Sequence, residues 1–130
     1  MSILIVEDDE GVGPSIASLL RDEGYDVAIA TSGRIALDRL KNDPLPSLIL
    51  LDLMMPEMDG IEFRVRQLAD SRLASIPVIV LSARPDVAHQ AKQLLVDDFL
   101  AKPMNFDELL HVVQNRAITV VGEHDPVPRA

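Results

Sequence analysis

Three uninterrupted apolar runs constrain this chain more than any other feature: Ile3-Leu4-Ile5-Val6, Ser47-Leu48-Ile49-Leu50-Leu51 and Pro77-Val78-Ile79-Val80-Leu81. A strand with one wet face alternates apolar and polar side chains, so runs without that alternation predict strands covered on both faces. Tyr25 to Ala30 and Phe99 to Ala101 are weaker runs, expected nearer the sheet edges. Segments of helical period separate the runs. Ile16, Leu19 and Leu20, then Ile35 and Leu40, recur at three- to five-residue spacing. Ile61, Val65, Leu68 and Ala69 predict one apolar helix face, and Val87, Ala91, Leu94 and Leu95 predict another. Asn105 with Glu108 predicts a capping box ahead of Leu109, Leu110, Val113 and Ala117.

Buried parallel strands need helical crossovers, and right-handed crossovers cover both faces of the sheet. Five β-α repeats therefore predict an α/β, three-layer, doubly wound fold. The 130 residues suit one domain, which at this size buries roughly two-thirds of its unfolded surface. Its core must form without disulfides, because the chain has no cysteine. The periodicity stops after Ala117, and Pro126 and Pro128 follow. Residues 1–117 are read as the domain and 118–130 as a tail or the start of a linker.

Charge excludes whole classes of function. Twelve basic against 21 acidic residues leave a net charge of −9, which repels a phosphate backbone and argues against direct nucleic-acid binding. No apolar run approaches the ~20 residues of a membrane span. No basic segment precedes Ile3, so a signal peptide is not expected, and the expected location is cytoplasmic.

Open parallel sheets bind ligands beyond the carboxyl ends of their strands. Glu7, Asp8, Asp9 and Glu10 follow the first run, Asp52 ends the third strand, Ser82 ends the fourth, and Lys102-Pro103 follows the fifth. Crowded carboxylates resist ionising unless a cation joins them. Oxygen donors without His or Cys select a hard divalent ion, and few carboxylates with room for water suit Mg²⁺. Lys102 offers a point charge to a phosphate, and the Ser82 hydroxyl can donate to an anionic oxygen. These parts suit phosphoryl transfer to a carboxylate nucleophile. Each residue alone has a plainer reading as a turn, cap or surface residue. Their coincidence at one sheet edge is what points to a site. His89, His111 and His124 lack metal spacing and are read as solvated, while Met54, Met55 and Met58 are read as packing. Gly11-Val12-Gly13 lacks the third glycine of a dinucleotide loop and follows four acids, which excludes a nucleotide site.

Ile3 to Asp9, the stretch Leu51-Asp52-Leu53-Met54-Met55-Pro56-Glu57-Met58-Asp59-Gly60, Val80-Leu81-Ser82-Ala83 and Lys102-Pro103 together resemble the receiver domain of bacterial two-component response regulators. The resemblance covers residues 2 to about 117. It implies a flavodoxin-like, five-stranded parallel sheet of order 2-1-3-4-5. It also implies that Asp52 accepts a phosphoryl group from a histidine kinase. Asp8 would bind Mg²⁺ directly, Glu7 through water, with Asp52 and the Met54 carbonyl completing the protein ligands. Lys102 would contact the acyl phosphate, Ser82 would be the switch hydroxyl, and Phe99 the aromatic ring whose rotamer follows phosphorylation. Met54 and Arg84 match variable positions that tune phosphoryl lifetime, and Asp9 is not expected among the ligands.

The implied protein is a phosphoacceptor switch that assists its own phosphorylation and dephosphorylation, not an enzyme with a separate substrate. Its implied partners are a sensor histidine kinase or phosphotransfer protein and a downstream effector protein or domain, with no direct nucleic acid and no membrane. A phosphorylation-dependent homodimer belongs to the same picture. The chain is expected to be a stand-alone receiver or one part of a longer protein. Two departures stand out. Leu95-Val96 replaces the usual Gly-Ala in a shortened segment, which predicts a short or displaced fourth helix. Val112 stands where regulators that pair through the fourth helix, fifth strand and fifth helix typically carry arginine. The alternative reading is an aspartyl-phosphate phosphohydrolase of the haloacid dehalogenase type, which places an acid two residues after the nucleophile, where this chain has Met54. A flavodoxin-like electron carrier would need a hydroxyl-rich first loop in place of the acidic one.

Overall fold

The computed structural model describes residues 1–42, 44–55, 58–96 and 98–124, with side chains described as far as residue 116. Five strands alternate with five helices: β1 (Ser2–Val6), α1 (Val12–Asp22), β2 (Asp26–Ala30), α2 (Gly33–Asn42), β3 (Leu48–Asp52), α3 (Gly60–Ala69), β4 (Val78–Ser82), α4 (Val87–Gln93), β5 (Asp98–Ala101) and α5 (Phe106–His124). All strand pairs are parallel and the order is β2-β1-β3-β4-β5. The two weaker runs form the two edges, as expected. The three continuous runs form the centre, where Leu48 to Asp52 and Val78 to Ser82 are buried throughout.

Alternation along the strands divides the core into two layers. Leu4, Val6, Ile49, Leu51, Val78 and Val80 pack with Ala36 and Leu40 of α2, Phe63 of α3, and Val87 and Ala91 of α4. Ile3, Ile5, Leu48, Leu50, Ile79 and Leu81 pack with Ile16, Ala17 and Leu20 of α1, and Leu109 and Val113 of α5. The register keeps the carboxyl ends level. Val6 lies beside Leu51, Asp52 beside Leu81, and Ser82 beside Ala101. Glu7 and Lys102, one residue beyond β1 and β5, therefore emerge at the same edge as Asp52 and Ser82.

The helices differ from their sequence reading in instructive ways. On α3 the predicted face of Ile61, Val65, Leu68 and Ala69 is exposed, and Gly60, Phe63, Arg64 and Gln67 are buried instead. Two apolar-compatible lines run along this helix, and hydropathy chose the wrong one. Gly60 decides between them: a Cβ there would lie 2.5 Å from the Asp52 carbonyl oxygen and 2.6 Å from the Leu53 Cα, so the helix meets β3 along its glycine. Asp59 accepts from the Glu62 amide at 2.9 Å and starts the helix.

The buried polar groups on that face are bonded. Arg64 donates from Nε to the Leu94 carbonyl at 3.0 Å, from Nη2 to the Leu95 carbonyl at 3.0 Å, and from Nη1 to Gln67 Oε1 at 2.8 Å. Gln67 Nε2 donates to the carbonyls of Leu73 and Ile76 at 3.0 and 3.1 Å. Burial of polar groups is tolerated when such partners are present.

The fourth helix is short, as the departure at Leu95-Val96 suggested. It ends at Gln93, so Leu94 and Leu95 lie outside it, and Leu95 is exposed at φ 59°. Ile35, predicted on the apolar face of α2, is also exposed; Ala36 and Leu40 carry that contact. Asn105 caps α5 through the Asp107 amide at 2.7 Å. The α5 backbone continues to His124, past Ala117 where the apolar period ends; residues 125–130 of the expected tail lie outside the described residues. Met55 and Met58 pack in the core, whereas Met54 is exposed.

Because Gly60 sits against the backbone of Asp52 and Leu53, Gly60→Ala should destabilise the fold by about 1–3 kcal/mol, the usual cost of overpacking. Urea denaturation would read this as a lower midpoint at unchanged m-value. An unshifted midpoint would mean that α3 can move away from β3 at no cost.

Candidate functional site

Three carboxylates and one ammonium meet at the carboxyl edge of the sheet. Carboxylate oxygens of Glu7, Asp8 and Asp52 lie within 4.8 Å of one another. Glu7 and Asp52 are buried, and Asp8 is half-buried. Lys102 Nζ forms an ion pair with Glu7 Oε1 and lies 3.5 Å from Asp52 Oδ2. The other Asp52 oxygen, Oδ1, accepts from the Met54 amide at 3.1 Å. One loop amide and one side-chain cation therefore hold the carboxylate from two sides.

Electrostatics follow from this crowding. Burial, the hydrogen bond with Asp52 and the nearby Asp52 charge push Glu7 up to about 7, against the opposing pull of Lys102. Burial alone would lower Lys102, but its hydrogen bond to Glu7 and the charge of Asp52 outweigh that and raise it, so the ammonium stays charged at neutral pH. Glu7 Oε2 is buried and has no hydrogen-bond partner among the described residues. A bare carboxylate oxygen beside two further carboxylates, with no nitrogen or sulfur donor in the group, is a donor set that fits a hard divalent cation.

The remaining residues of the expected site fall around this cluster. Ser82 is fully buried; its Oγ accepts from the Arg84 amide at 3.1 Å and its carbonyl accepts from the Lys102 amide at 2.8 Å. Phe99 pairs in register with Val80 and is exposed. It therefore stands on the sheet face that carries Val78, Val80 and α4. Asp9 is not in the cluster. Its Oδ1 accepts from the amides of Gly11 and Val12 at 2.7 and 3.0 Å, and these bonds hold its carboxyl below the usual range. It shapes the turn into α1. His89 and His111 are exposed, and His111 lies 3.3 Å from Asn115.

Reading the sequence for chemistry missed Arg64 and Gln67, whose partners are mostly backbone carbonyls distant in the chain. The one local signal was their three-residue spacing within a helical segment, which lets one donate to the other.

The comparisons agree with this geometry. The profile of the response regulator receiver domain matches residues 3–114. The chain is 38% identical over 118 residues to the response regulator Rre1 of Synechocystis, covering 88% of this chain and 51% of that protein. It is 41% identical over 110 residues to the response regulator MprA of Mycolicibacterium vanbaalenii, covering 83% and 46%. The chain thus spans about half the length of these curated relatives. Among solved structures, the receiver domain of a signal transduction histidine kinase from Syntrophus aciditrophicus matches with a TM-score of 0.83 and 30% identity, covering 99% of this chain and 98% of that one. The Mn²⁺-bound response regulator Rcp1 matches with a TM-score of 0.74 and 30% identity, covering 90% and 91%. The chain belongs to the response regulator receiver family, whose place is in two-component phosphorelay signalling and whose receiver domains act as phosphoacceptor switches. Nothing in the matches favours a phosphohydrolase of the haloacid dehalogenase type.

The raised Glu7 carboxyl has a consequence for the metal-free protein. With an ordinary value of 4.5 when unfolded and about 7 when folded, Glu7 contributes stability that is full below the unfolded value and lost as pH rises through the folded one. Stability of the metal-free protein should fall across that window. Glu7→Gln should flatten the fall, as read by urea denaturation in chelator at successive pH values. An equal slope in the variant would place the titrating group elsewhere.

Proposed function

We propose that Asp52 accepts a phosphoryl group from the phosphohistidine of a sensor kinase or phosphotransfer protein, and that the change is read by a downstream effector protein or domain. The Glu7–Asp8–Asp52 cluster facing Lys102 at one sheet edge carries this reading. Glu7, Asp8, Asp52 and the Met54 carbonyl would hold Mg²⁺, which when bound supplies positive charge opposite the phosphoryl oxygens. The Mn²⁺-bound relative supports a divalent ion here.

The chain's own groups account for the rest of the chemistry. A carboxylate oxygen of Asp52 attacks phosphorus; the new P–O bond forms as the P–N bond breaks, and the electron pair stays on the departing imidazole nitrogen. The Met54 amide holds the second Asp52 oxygen and so orients the attacking one. Lys102 shifts from Asp52 to a phosphoryl oxygen, and the Ser82 hydroxyl donates to another. Attack of water at phosphorus later breaks the same P–O bond and frees inorganic phosphate, with Met54 and Arg84 at the rim setting its access.

Ser82 and Phe99 carry the switch. Both lie on the α4 face of the sheet, and Phe99 is exposed there. Movement of Ser82 toward the phosphoryl group would vacate space beside β4, and Phe99 would turn into it. Residues 1–117 form the receiver and 118–130 the start of a linker or tail in this reading, which also includes a phosphorylation-dependent homodimer. A cytoplasmic location suits the acidic, cysteine-free composition, and among the described residues no helix is long and apolar enough to cross a membrane.

Acetyl phosphate with Mg²⁺ should add one phosphoryl group by intact mass, and Asp52→Asn should add none. Asp8→Ala should retain the fold but slow phosphorylation at least tenfold and weaken the Mg²⁺-induced rise in Tm. An adduct persisting in Asp52→Asn, or an unaltered Mg²⁺ titration in Asp8→Ala, would refute the respective assignment.

Ser82→Ala should still be phosphorylated on Asp52 but respond weakly at the distal face. Aromatic NMR signals of Phe99, followed with beryllofluoride in place of the phosphoryl group, should move in the wild type and move less in the variant. Phe99 signals that stay fixed in the saturated wild type would show that the signal leaves by another route.

A further inference from the structure

α3 turns three apolar residues to solvent and buries two polar ones beside Phe63. Ile61, Val65 and Leu68 are 38%, 58% and 37% exposed, whereas Arg64 and Gln67 are 6% and 0% exposed. The helix cannot simply turn the stripe inward. Gly60 is pressed on β3, and the bonds of Arg64 to the Leu94 and Leu95 carbonyls lock its rotation at the other end. An apolar stripe held outward by buried bonds is the signature of a contact surface.

We infer that this stripe is a self-association surface, on which a second copy of the chain docks its own α3 antiparallel about a two-fold axis. Two features place that axis within one residue of each other. Glu62 and Arg66, an exposed ion pair at 3.3 Å, flank the stripe on one side. Their midpoint along the helix is residue 64, and the midpoint of Ile61 and Leu68 falls between residues 64 and 65. A two-fold axis through this point sets Glu62 of each copy against Arg66 of the other. The same axis brings the two Val65 side chains together and sets each Ile61 against Leu68 of the other copy.

Charge favours a second copy here more than elsewhere on the molecule. The chain as a whole carries −9, which repels another copy, but apart from the buried Arg64, residues 60–72 hold Arg66 and Arg72 against Glu62 and Asp70 and are free of the acidic excess. One helix face per copy buries less than the ~1,200 Å² of a stable complex. The association is therefore weak, so it shows only at high concentration.

Sedimentation velocity from about ten micromolar to about one millimolar should show a monomer–dimer equilibrium. Val65→Asp should abolish it. Glu62→Arg and Arg66→Glu should each weaken it about tenfold, and the two together should restore it, because the exchanged charges again face their opposites. Since the chain has no cysteine, Val65→Cys supplies a single thiol at the axis and should oxidise to a dimer much faster than Arg72→Cys. A chain that stays monomeric to the top concentration overturns the inference and leaves the stripe to a different protein. A charge exchange that fails to restore association, or thiols that oxidise equally fast, overturns the antiparallel arrangement.

Discussion

The contact between Lys102 and the buried carboxylates of Glu7 and Asp52 is the interaction on which the rest of the structure depends. Two acids this close and this buried would repel each other strongly with no cation between them. One ammonium, itself largely enclosed, neutralises part of that charge. It leaves Glu7 Oε2 without a hydrogen-bond partner among the described residues, so the site has room for further positive charge. In the proposed function this site would take up a cation and respond when a dianionic group replaces the contact between Lys102 and Asp52. The proposed chemistry and switch would then share one electrostatic imbalance.

That imbalance is maintained by parallel strands in register. Lys102 and Glu7 are 95 positions apart in the chain, yet they meet because each is the first residue beyond a strand whose end is level with the others. Central strands whose polar residues stand only at their ends cannot slip outward without exposing apolar surface, so burial fixes their place in the sheet. α3 is then drawn against the end of β3 by Gly60, and the Met54 amide, two residues after Asp52, binds the acid.

The short α4 is held at its far end by a group from another helix. Arg64 satisfies the carbonyls of Leu94 and Leu95, the last turn that a glycine would ordinarily close, and Leu95 adopts φ 59° with that support. A charged donor at a helix C-terminus also complements the partial negative charge there. The end of α4 near Ser82 and Arg84 has no comparable clamp among the described residues, since Asp86 makes no side-chain cap. The two ends are thus held unequally.

Much of this could be read directly from the residues. Unbroken apolar runs imply buried parallel strands whatever surrounds them, because hydropathy acts locally and the strand period is short. Acids, a hydroxyl and a lysine one step beyond those runs imply a phosphoryl site, since strand ends converge in any such sheet. The face that α3 buries was beyond that kind of reading. Ile61, Val65 and Leu68 outscore Phe63, Arg64 and Gln67 in hydropathy, and only the carbonyls of Leu73, Ile76, Leu94 and Leu95, brought near by the fold, make an arginine and a glutamine the better residues to bury. The outward Phe99 and the bare oxygen of Glu7 were likewise decided by tertiary structure. Each depends on which distant groups come within hydrogen-bonding or packing distance, a quantity that no local pattern of residues contains.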